Sequence, residues 1–385
     1  MYLLCREDIF SPIIESQVIS NLIEISKDTN INIYFVWIKR IDYCFFYKKE
    51  INKTISLLES HNIKVLQVPV IIGRFPLSKG MFNILKIQVI GRLNKIIDKY
   101  KINLVHSRSY NSGLLAKILK ERKKIIHIFD PRSPFLSEIK STFAINETAP
   151  KYLFWQKAEH DIVSTADATI GISEEFCNYL KKFNEHVLFI PNNVDVPDIK
   201  DIHSWTISQK RKSICYIGSL GYGWNDVREY IHWMKKIISY KKDVKFEIYV
   251  TKICIPVVQK ELKSSGISRE SYILDTLPRN KILKTIAGCL AGMQIMSKKD
   301  NRLGVKSVDY LAAGIPILCN DNAVGAANLV KKTNFGWNVD DNKLSQILNE
   351  IEKFNNNLEC VKYAEQNFST RAISRKYINI YKLFC

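Results

Sequence analysis

The chain has 385 residues, of which 46% are hydrophobic and 25% charged, and its formal net charge is +19. This composition excludes a largely disordered chain, and the length exceeds the ~100–200 residues of a typical domain, so we expect two domains of similar size. No apolar run approaches the roughly 18 residues of a membrane-spanning helix, and acidic residues occur too early for a signal peptide. We therefore expect a cytoplasmic protein.

Cysteine spacing and charge narrow the class of protein further. The nine cysteines are scattered without a C-x-x-C pair, so neither a structural zinc site nor a disulfide framework is expected. The basic excess indicates a polyanionic partner: nucleic acid, a phosphorylated small molecule or an anionic membrane surface. The alternative is a surface of solvated lysines without any such partner.

Short apolar runs alternate with longer segments of helical period in the first half of the chain. The strands predicted from these runs are 2–5, 31–38, 63–70, 104–106, 125–129, 168–172 and 187–190. The helices predicted between them lie near 16–26, 49–61, 82–99, 113–120, 151–165 and 174–182. This repeated strand–helix order is typical of a parallel sheet covered by helices on both faces.

The alternation breaks at 192–212 and then resumes. The later strands are predicted at 214–217, 245–250, 271–274, 290–296, 315–319 and 336–339, and a helical tail at 342–384. The expected domains are 1–195, a linker at 196–212, 213–366, and a helix at 367–385 that could pack back on the first domain. Two doubly wound, Rossmann-like α/β domains facing a central cleft are predicted, with ligands at the carboxyl ends of the strands.

The segment 304–318 carries the most specific chemistry. A helix is expected from Val305 to Gly314, which places Lys306 in the first turn, where a cation opposes the helix dipole. An anion at the helix N-terminus would account for that lysine, since it would share the free N–H groups. Asp309 lies one turn later on the same face and could accept hydrogen bonds from a ribose. The alternative is an amphipathic helix with solvated Lys306 and Asp309.

A glycine-rich loop follows the predicted strand at 214–217. Gly218 and Ser219 begin it, and Asn225 or Asp226 is the expected N-cap of the next helix. Glycines there would allow a diphosphate to approach the backbone. The loop is not a dinucleotide fingerprint, because Asp226 stands where the third glycine is required.

These two segments resemble the donor site of retaining GT-B glycosyltransferases, particularly family 4, in which Lys and an acidic residue precede Tyr-Leu-Ala-x-Gly-x-Pro-Val. The resemblance implies that Lys306 contacts donor phosphates and that Asp309 holds the ribose. Three positions depart from the family: Asp309 stands where Glu is usual, Asn301 where many members have an acid that contacts the sugar, and Ser219 where many have Arg. Arg302 is the candidate to supply that missing charge.

Three loops of the first half resemble a subgroup of the same family. Ser-Pro-Ile-Ile-Glu-Ser-Gln-Val at 11–18 is similar to Asp-Pro-Leu-Gly-x-Ser-Gln-Val, and His-Ser-Arg-Ser-Tyr at 106–110 to His-x-Arg-Ser-Tyr. The segment 129–138 is similar to Phe-Asp-x-Arg-Gly-x-x-x-x-Glu. The alternative for each is an ordinary loop, and for Asp130 with Arg132 it is a structural ion pair.

The resemblance implies a hexosyltransferase (EC 2.4) that moves a sugar from a nucleotide-sugar to a saccharide or lipid-linked saccharide. Bacterial surface polysaccharide synthesis (capsule, O-antigen of lipopolysaccharide, or exopolysaccharide) is the expected setting, with retention of configuration. No Asp-x-Asp pair occurs, so no metal or other cofactor is expected. Lys306, aided by Arg302 or Arg132, would stabilise the departing nucleoside diphosphate, and Asp130 would orient the sugar or the acceptor hydroxyl.

The candidate residues fall into three groups. The catalytic candidates are Asp130, Arg132 and Lys306; the donor-binding candidates are Gly218, Ser219, Arg302, Lys306, Ser307 and Asp309; the acceptor or cleft candidates are Glu15, Ser16, Arg108, Ser109, Tyr110 and Glu138. The basic segments 74–86 and 117–124 could rest on the anionic inner face of a membrane, or could simply be solvated.

Three other functions remain open. A sugar-nucleotide 2-epimerase of the same fold is one, although no second carboxylate is evident near Asn301. A nucleic-acid-binding protein is suggested by charge alone, without a helix-turn-helix, zinc-finger or RNA-binding aromatic signature. The third is a non-catalytic member of the family, since Asn301 and Ser219 depart from its pattern.

Overall fold

The structure is a computed structural model that describes residues 1–28, 30–42, 46–71, 77–208, 211–221 and 225–384, without the side chains of 141 and 142. Parts of the basic segment 74–86, of the glycine-rich loop and of the linker lie outside the described residues. Within the described residues, no helix is both long and apolar enough to cross a membrane. The chain divides into a first unit, Met1–Pro191 with Ile373–Cys385, and a second unit, Asn192–Ala372.

The first unit is built on a seven-stranded parallel sheet in the order β3-β2-β1-β4-β5-β6-β7. Its strands are β1 (Tyr2–Cys5), β2 (Tyr34–Arg40), β3 (Lys64–Val70), β4 (Leu104–Arg108), β5 (Ile126–Asp130), β6 (Ala168–Gly171) and β7 (Val187–Phe189). Its helices are α1 (Pro12–Ile14), continued by a π-helical stretch (Glu15–Ile19) into α2 (Ser20–Ile25), then α3 (Lys48–Glu59), α4 (Lys79–Tyr100), α5 (Ser109–Arg122), α6 (Phe135–Thr142), α7 (Pro150–Thr165) and α8 (Glu174–Leu180).

The second unit has a six-stranded parallel sheet in the order β10-β9-β8-β11-β12-β13. Its strands are β8 (Ser213–Gly218), β9 (Lys245–Val250), β10 (Tyr272–Asp275), β11 (Ala291–Gln294), β12 (Ile317–Cys319) and β13 (Gly336–Asn338). Its helices are α9 (Ile199–Ser208), α10 (Val227–Tyr240), α11 (Ile255–Ser264), α12 (Arg279–Ile286), α13 (Val305–Ala312), α14 (Val324–Thr333), α15 (Leu344–Glu352) and α16 (Asn357–Phe368). The last helix of the chain is α17 (Thr370–Phe384).

Alternation along the strands explains why each sheet is covered on both faces. In β1, Leu3 and Cys5 enter one hydrophobic core while Tyr2 and Leu4 enter the other, because successive side chains of a strand point to opposite faces. A strand buried on both sides therefore reads as a continuous apolar run, which is the pattern that the sequence shows. The predicted α/β class with two parallel sheets is confirmed.

The boundaries differ from those expected at two places. The segment assigned to a linker contains α9, of which Ile202 is the one buried residue. The division at Ala372 and Ile373 comes later than the expected 366, because Ile373 and the following part of α17 pack into a core of the first unit.

The contact between Tyr310 and Gly292 positions α13 on its sheet. The Tyr310 hydroxyl donates to the Met293 carbonyl at 3.0 Å and accepts from the Ile217 N–H at 3.3 Å, so it joins β11 and β8. A Cβ atom on Gly292 would lie 2.3 Å from the Tyr310 ring. Only glycine therefore allows the ring to lie this close to the strand.

We predict that Gly292→Ala lowers the free energy of unfolding by about 1–3 kcal/mol, the usual effect of overpacking. Urea denaturation of the full chain measures this effect. The matched control is Gly91→Ala in α4, where a Cβ atom would meet nothing within 4 Å. That variant should be neutral or gain up to about 1 kcal/mol. Equal stability of the two variants would contradict the packing described here.

Candidate functional site

Gly304 is the N-cap of α13 and lies at the end of the loop that follows β11. Gly304 is extended (φ −65°, ψ 143°) and offers no side-chain cap to the first turn. A Cβ atom there would lie 3.2 Å from Gln294 Oε1, so a capping side chain would crowd the end of β11. Of the first-turn N–H groups, that of Ser307 donates to the Gly304 carbonyl at 3.1 Å, and those of Val305 and Lys306 are left to another acceptor, as at many anion-binding helix termini.

Lys306 meets the glycine-rich loop at this helix end. Its ammonium donates to Tyr216 Oη at 2.8 Å and to Asn225 Oδ1 at 3.3 Å, and lies 4.3 Å from the centre of the Tyr216 ring. Gly218 has φ +108°, and a Cβ atom on it would be 3.8 Å from the Lys306 Cε atom. The structure therefore brings together the two segments that sequence reasoning had singled out separately. Asp226 is the N-cap of α10.

No carboxylate forms an ion pair with Lys306 within the part of the chain that the structure describes. Burial lowers the pKa of Lys306 to about 7; the negative charge of Asp300 raises it and the positive charge of Arg302 lowers it. A half-buried ammonium with two neutral hydrogen-bond acceptors is poorly compensated. A bound anion would restore the charged form. We call Gly218, Asn225 and Lys306, with the first turn of α13, the Lys306 site.

Asp309 is held by a partner that sequence reasoning missed. Arg279, at the start of α12, donates from both terminal nitrogens to the two carboxylate oxygens, each at 2.6 Å. Burial raises the pKa of Asp309, while Arg279 lowers it. The Arg279 side chain is 30% exposed and that of Asp309 only 3%, so the guanidinium is the accessible end of this pair. Arg279 follows a strand end, which was the available signal.

The three other donor-binding candidates, Arg302, Ser307 and Ser219, differ in burial and in hydrogen bonding. Arg302 forms a bidentate pair with Asp300, at 2.8 and 2.7 Å, and both side chains are 14% exposed. Asp300 therefore balances its charge, and the contribution of Arg302 to donor binding stays a prediction. Ser307 is fully buried and its hydroxyl has no hydrogen-bond partner among the described residues, whereas Ser219 is exposed.

A cavity of about 570 Å³ lies at the carboxyl ends of β1, β4 and β5 in the first unit. Its lining residues are Cys5, Arg6, Glu7, Asp8, Ser11, Ile13, Ile14, Arg40, Ser109, Tyr110, Asn111, Pro131, Arg132, Ser133, Phe135 and Glu138. We call it the first-unit cavity. Four of the candidates, Ser109, Tyr110, Arg132 and Glu138, are therefore brought together; Glu15, Ser16, Arg108 and Asp130 are not among its lining residues.

Asp130 lies behind the cavity wall, with 1% of its surface exposed. Its Oδ2 atom is 3.5 Å from His106 Nε2 and 3.6 Å from Arg132 Nη1, and it accepts from the Tyr377 hydroxyl at 3.5 Å. Burial acts to raise the pKa of Asp130, but Arg132 and His106 together hold it below its usual value. Asp130 thus contacts Arg132 and does not line the cavity, as the alternative of a structural ion pair predicts.

Arg132 faces the cavity from a left-handed backbone conformation (φ +62°). Its Nη1 donates to the Tyr377 hydroxyl at 3.3 Å and its Nη2 to Gln17 Oε1 at 3.4 Å. Tyr377, from α17, was missed because it lies about 240 residues away in an amphipathic helix, where a tyrosine reads as core. Tyr381 of the same helix shares a 2.6 Å hydrogen bond with His106 Nδ1.

Glu7 is a cavity residue that sequence reasoning also missed. Its Oε2 atom accepts from Arg108 Nε at 3.1 Å, and its side chain is 32% exposed. Burial raises the pKa of Glu7, while Arg108 lowers it. Among the described residues, no group of three or more His, Cys, Asp or Glu side chains is placed to hold a metal ion.

Lys306 gives the second unit a pH-dependent stability. The folded pKa of about 7 lies below the usual 10.5, so between these values the unfolded chain holds a proton that the folded chain lacks. We predict that the free energy of unfolding rises by about 1–2 kcal/mol between pH 7 and 9. Lys306→Met should remove most of this rise, because it keeps the length without the charge.

Urea denaturation of the full chain at several pH values measures this effect. The control is Lys299→Met, since Lys299 is exposed to solvent. Identical pH dependence in the wild type and in Lys306→Met would show that Lys306 is not desolvated.

No protein-family model matches the sequence, and comparison with curated protein sequences gave no match. Solved structures do match over nearly the whole chain. HepE of Anabaena in complex with UDP superposes with a TM-score of 0.67 at 12% identity, over 99% of each chain. Sucrose-phosphate synthase of Thermosynechococcus elongatus gives 0.69 at 13% identity, over 100% of this chain and 98% of that one. The lipopolysaccharide outer core galactosyltransferase WaaB gives 0.65 at 13% identity, over 99% and 100%.

The three neighbours share the arrangement of two α/β units with parallel sheets along the whole chain. At these identities the likeness concerns the backbone, and the chemistry has to be argued from the site itself. The chain has the fold of the GT-B glycosyltransferases.

Proposed function

We propose that this chain is a hexosyltransferase (EC 2.4) that moves a sugar from a nucleotide-sugar to a saccharide or lipid-linked saccharide. The Lys306 site would bind the donor and the first-unit cavity the acceptor. One observation carries the proposal: a half-buried ammonium stands at the uncapped first turn of α13, beside a glycine loop, and no carboxylate among the described residues forms an ion pair with it. This is the charge arrangement that a diphosphate would complete.

The structure of HepE, which shares this fold, contains bound UDP. That likeness supports a uridine nucleotide as the first donor to test. Arg279 offers an accessible guanidinium beside Asp309, so a ribose approaching this end of α13 would meet the pair rather than a lone carboxylate. We therefore propose that Asp309 and Arg279 bind the ribose together.

The chemistry follows from where charge develops. The bond between the anomeric carbon and the diphosphate oxygen breaks, and the acceptor oxygen forms the new bond to that carbon. The leaving diphosphate gains negative charge, which Lys306 and the N-terminus of α13 are oriented to stabilise. That diphosphate can take the proton of the acceptor hydroxyl, so no separate base is required. Retention and metal independence are parts of the proposal.

The setting proposed is bacterial surface polysaccharide synthesis, at the inner face of the cytoplasmic membrane. Its support is the likeness of fold to WaaB, an outer core galactosyltransferase. Within the acceptor side, Arg132 is the proposed contact with substrate, and Asp130 positions it through their ion pair.

We predict that one of the UDP-, GDP- or CMP-sugars raises the melting temperature of the wild type by several degrees at about 100 times its Kd, since such binding adds about 2.7 kcal/mol. Lys306→Ala should lose this shift, because the anion loses its cation. The control Lys299→Ala removes an exposed lysine that precedes the same helix and should keep the shift. An unresponsive wild type, or an equal response in Lys306→Ala, would contradict the assignment.

Product analysis with a labelled donor then separates the remaining functions. Transfer gives labelled glycoside and free nucleoside diphosphate, whereas a 2-epimerase returns a nucleotide-sugar of altered configuration. A chain that binds the donor but turns over neither way would be a non-catalytic member. Tight, sequence-specific retention of nucleic acid in filter binding would instead support the charge-based alternative.

The structure separates the two basic segments considered for membrane contact. In α5, Lys117 pairs with Glu121, Lys120 with Asp167, and Lys123 with Asp98. These cations are therefore already balanced by surface carboxylates. Ion pairs of this kind leave little net charge to attract an anionic surface.

The outer face of α4 is different. Lys79, Lys86 and Lys95 form no ion pair within the described ranges of the chain, and Ile84 and Ile87 are 54% and 76% exposed. Ile71 adds to this surface, because Gln88 of α4 bonds both its N–H and its carbonyl, at 2.9 and 3.1 Å. We call these residues the α4 surface and propose that it rests on anionic lipid.

We predict that the wild type floats with vesicles containing phosphatidylglycerol at low salt and is released at high salt. Lys79→Ala with Lys86→Ala should weaken binding about tenfold or more, as each lysine near the surface contributes about 1 kcal/mol. The matched control, Lys117→Ala with Lys120→Ala in α5, should bind as the wild type does. Absence of salt-sensitive binding would contradict the membrane proposal and leave the donor site untouched.

A further inference from the structure

The first-unit cavity needs a group that recognises the acceptor, and its carboxylates are the natural candidates. Asp130 is excluded because it is 1% exposed and does not line the cavity. Glu7, Asp8 and Glu138 do line it. The carboxylate of Glu7 is fixed by the buried cation of Arg108.

The backbone fixes Glu7 from two sides. Arg6 adopts a left-handed conformation (φ +66°) at the end of β1, and its N–H donates to the Ile38 carbonyl at 2.8 Å. The Glu7 carbonyl accepts from the indole N–H of Trp37 at 3.0 Å, and Trp37 is fully buried. A sharp turn held at both ends therefore sets the direction in which the side chain leaves the strand.

The two carboxylate oxygens of Glu7 have different surroundings. Oε2 accepts from Nε of Arg108, a side chain that is 5% exposed. Oε1 accepts no hydrogen bond from the residues that the structure describes, and 32% of the side chain is exposed. An ionised carboxylate can accept several hydrogen bonds, so one oxygen is used for positioning and the other is available.

The neighbours of Glu7 in the cavity suit a sugar. Ser109 and Ser133 supply small polar groups, and Tyr110 and Phe135, with ring centres 4.7 Å apart, form part of the lining with only 1% and 2% of their surfaces exposed. Mixed aromatic and polar walls with a few fixed charged groups are typical of small-molecule sites. The volume of about 570 Å³ is within the ~300–1,000 Å³ of such sites and would hold one or two sugar rings.

We propose that Glu7 is an acceptor-binding residue, whose Oε1 accepts a hydrogen bond from a hydroxyl of a neutral sugar while Arg108 fixes Oε2. This inference rests on the proposed glycosyltransferase function and names the acceptor class. A uronic acid at the same position would bring its carboxylate against that of Glu7. At Oε1 the proposal therefore favours a neutral hydroxyl over a carboxylate by local charge repulsion, while Arg6, Arg40 and Arg132 line other parts of the same cavity.

The experiment uses the full chain and three probes: octyl glucoside, octyl galactoside and octyl glucuronide, with binding measured by calorimetry below their micellar concentrations. The wild type is expected to bind at least one neutral glycoside, about tenfold more tightly than the glucuronide. Glu7→Gln should weaken neutral binding about tenfold, the loss of a hydrogen bond to a charged group, and reduce the discrimination against the glucuronide. Glu185→Gln, an exposed glutamate of the same unit, is the control and should match the wild type.

Two further measurements separate this role from a structural one. The thermal response of Glu7→Gln to nucleotide should stay as in the wild type, since the donor would bind in the second unit, whereas its melting temperature should fall because the buried Arg108 loses its carboxylate partner. The inference is overturned if the wild type binds none of the neutral probes, if Glu7→Gln binds them as the wild type does, or if its nucleotide response falls with glycoside binding. If the wild type binds no nucleotide but its glycoside binding depends on Glu7, the donor assignment alone is overturned.

Discussion

The Tyr310 ring lies directly against Gly292, and the second unit depends on this contact. Its hydroxyl joins β8 and β11, the two strands at the centre of the sheet, and so fixes the height and rotation of α13. The position of Lys306 follows from that rotation, because the lysine lies four residues before the ring on the same helix face. A site that needs a charge in a defined place is thus supported by a packing contact that carries no charge.

The two units satisfy buried charge in opposite ways. In the first, the Asp130 Oδ2 atom lies close to His106, Arg132 and Tyr377, so cationic and hydroxyl groups compensate its charge, although Oδ1 has no hydrogen-bond partner among the described residues. In the second, the acceptors that Lys306 meets within the described residues are neutral, although Arg279 with Asp309 forms a full pair one turn away. A buried charge beside an opposite charge needs no ligand, whereas an uncompensated one marks a place where a ligand can contribute.

Sequence predicted the strands and helices well, because buried parallel strands and amphipathic helices leave periodic patterns that depend on local order alone. It also located Lys306 and the glycine loop, since both follow strand ends. It could not find the partners that come from afar. Arg279 and Tyr377 bond to residues about 30 and 245 positions away; Arg279 has the signal of following a strand end, whereas nothing in the local sequence of Tyr377 distinguishes it from a core side chain. The helix α9 within the expected linker was also missed.

The first unit is made of two separated stretches of chain, and this matters for synthesis on the ribosome. Residues 192–372 are contiguous, so every residue of the second unit is translated before Ile373. The core of the first unit must wait for Ile373, Tyr377 and Tyr381, although its sheet is translated first. While the second unit is being translated, the sheet of the first unit therefore lacks part of one helical layer. During that interval its apolar face depends on transient cover, as with other late-closing folds.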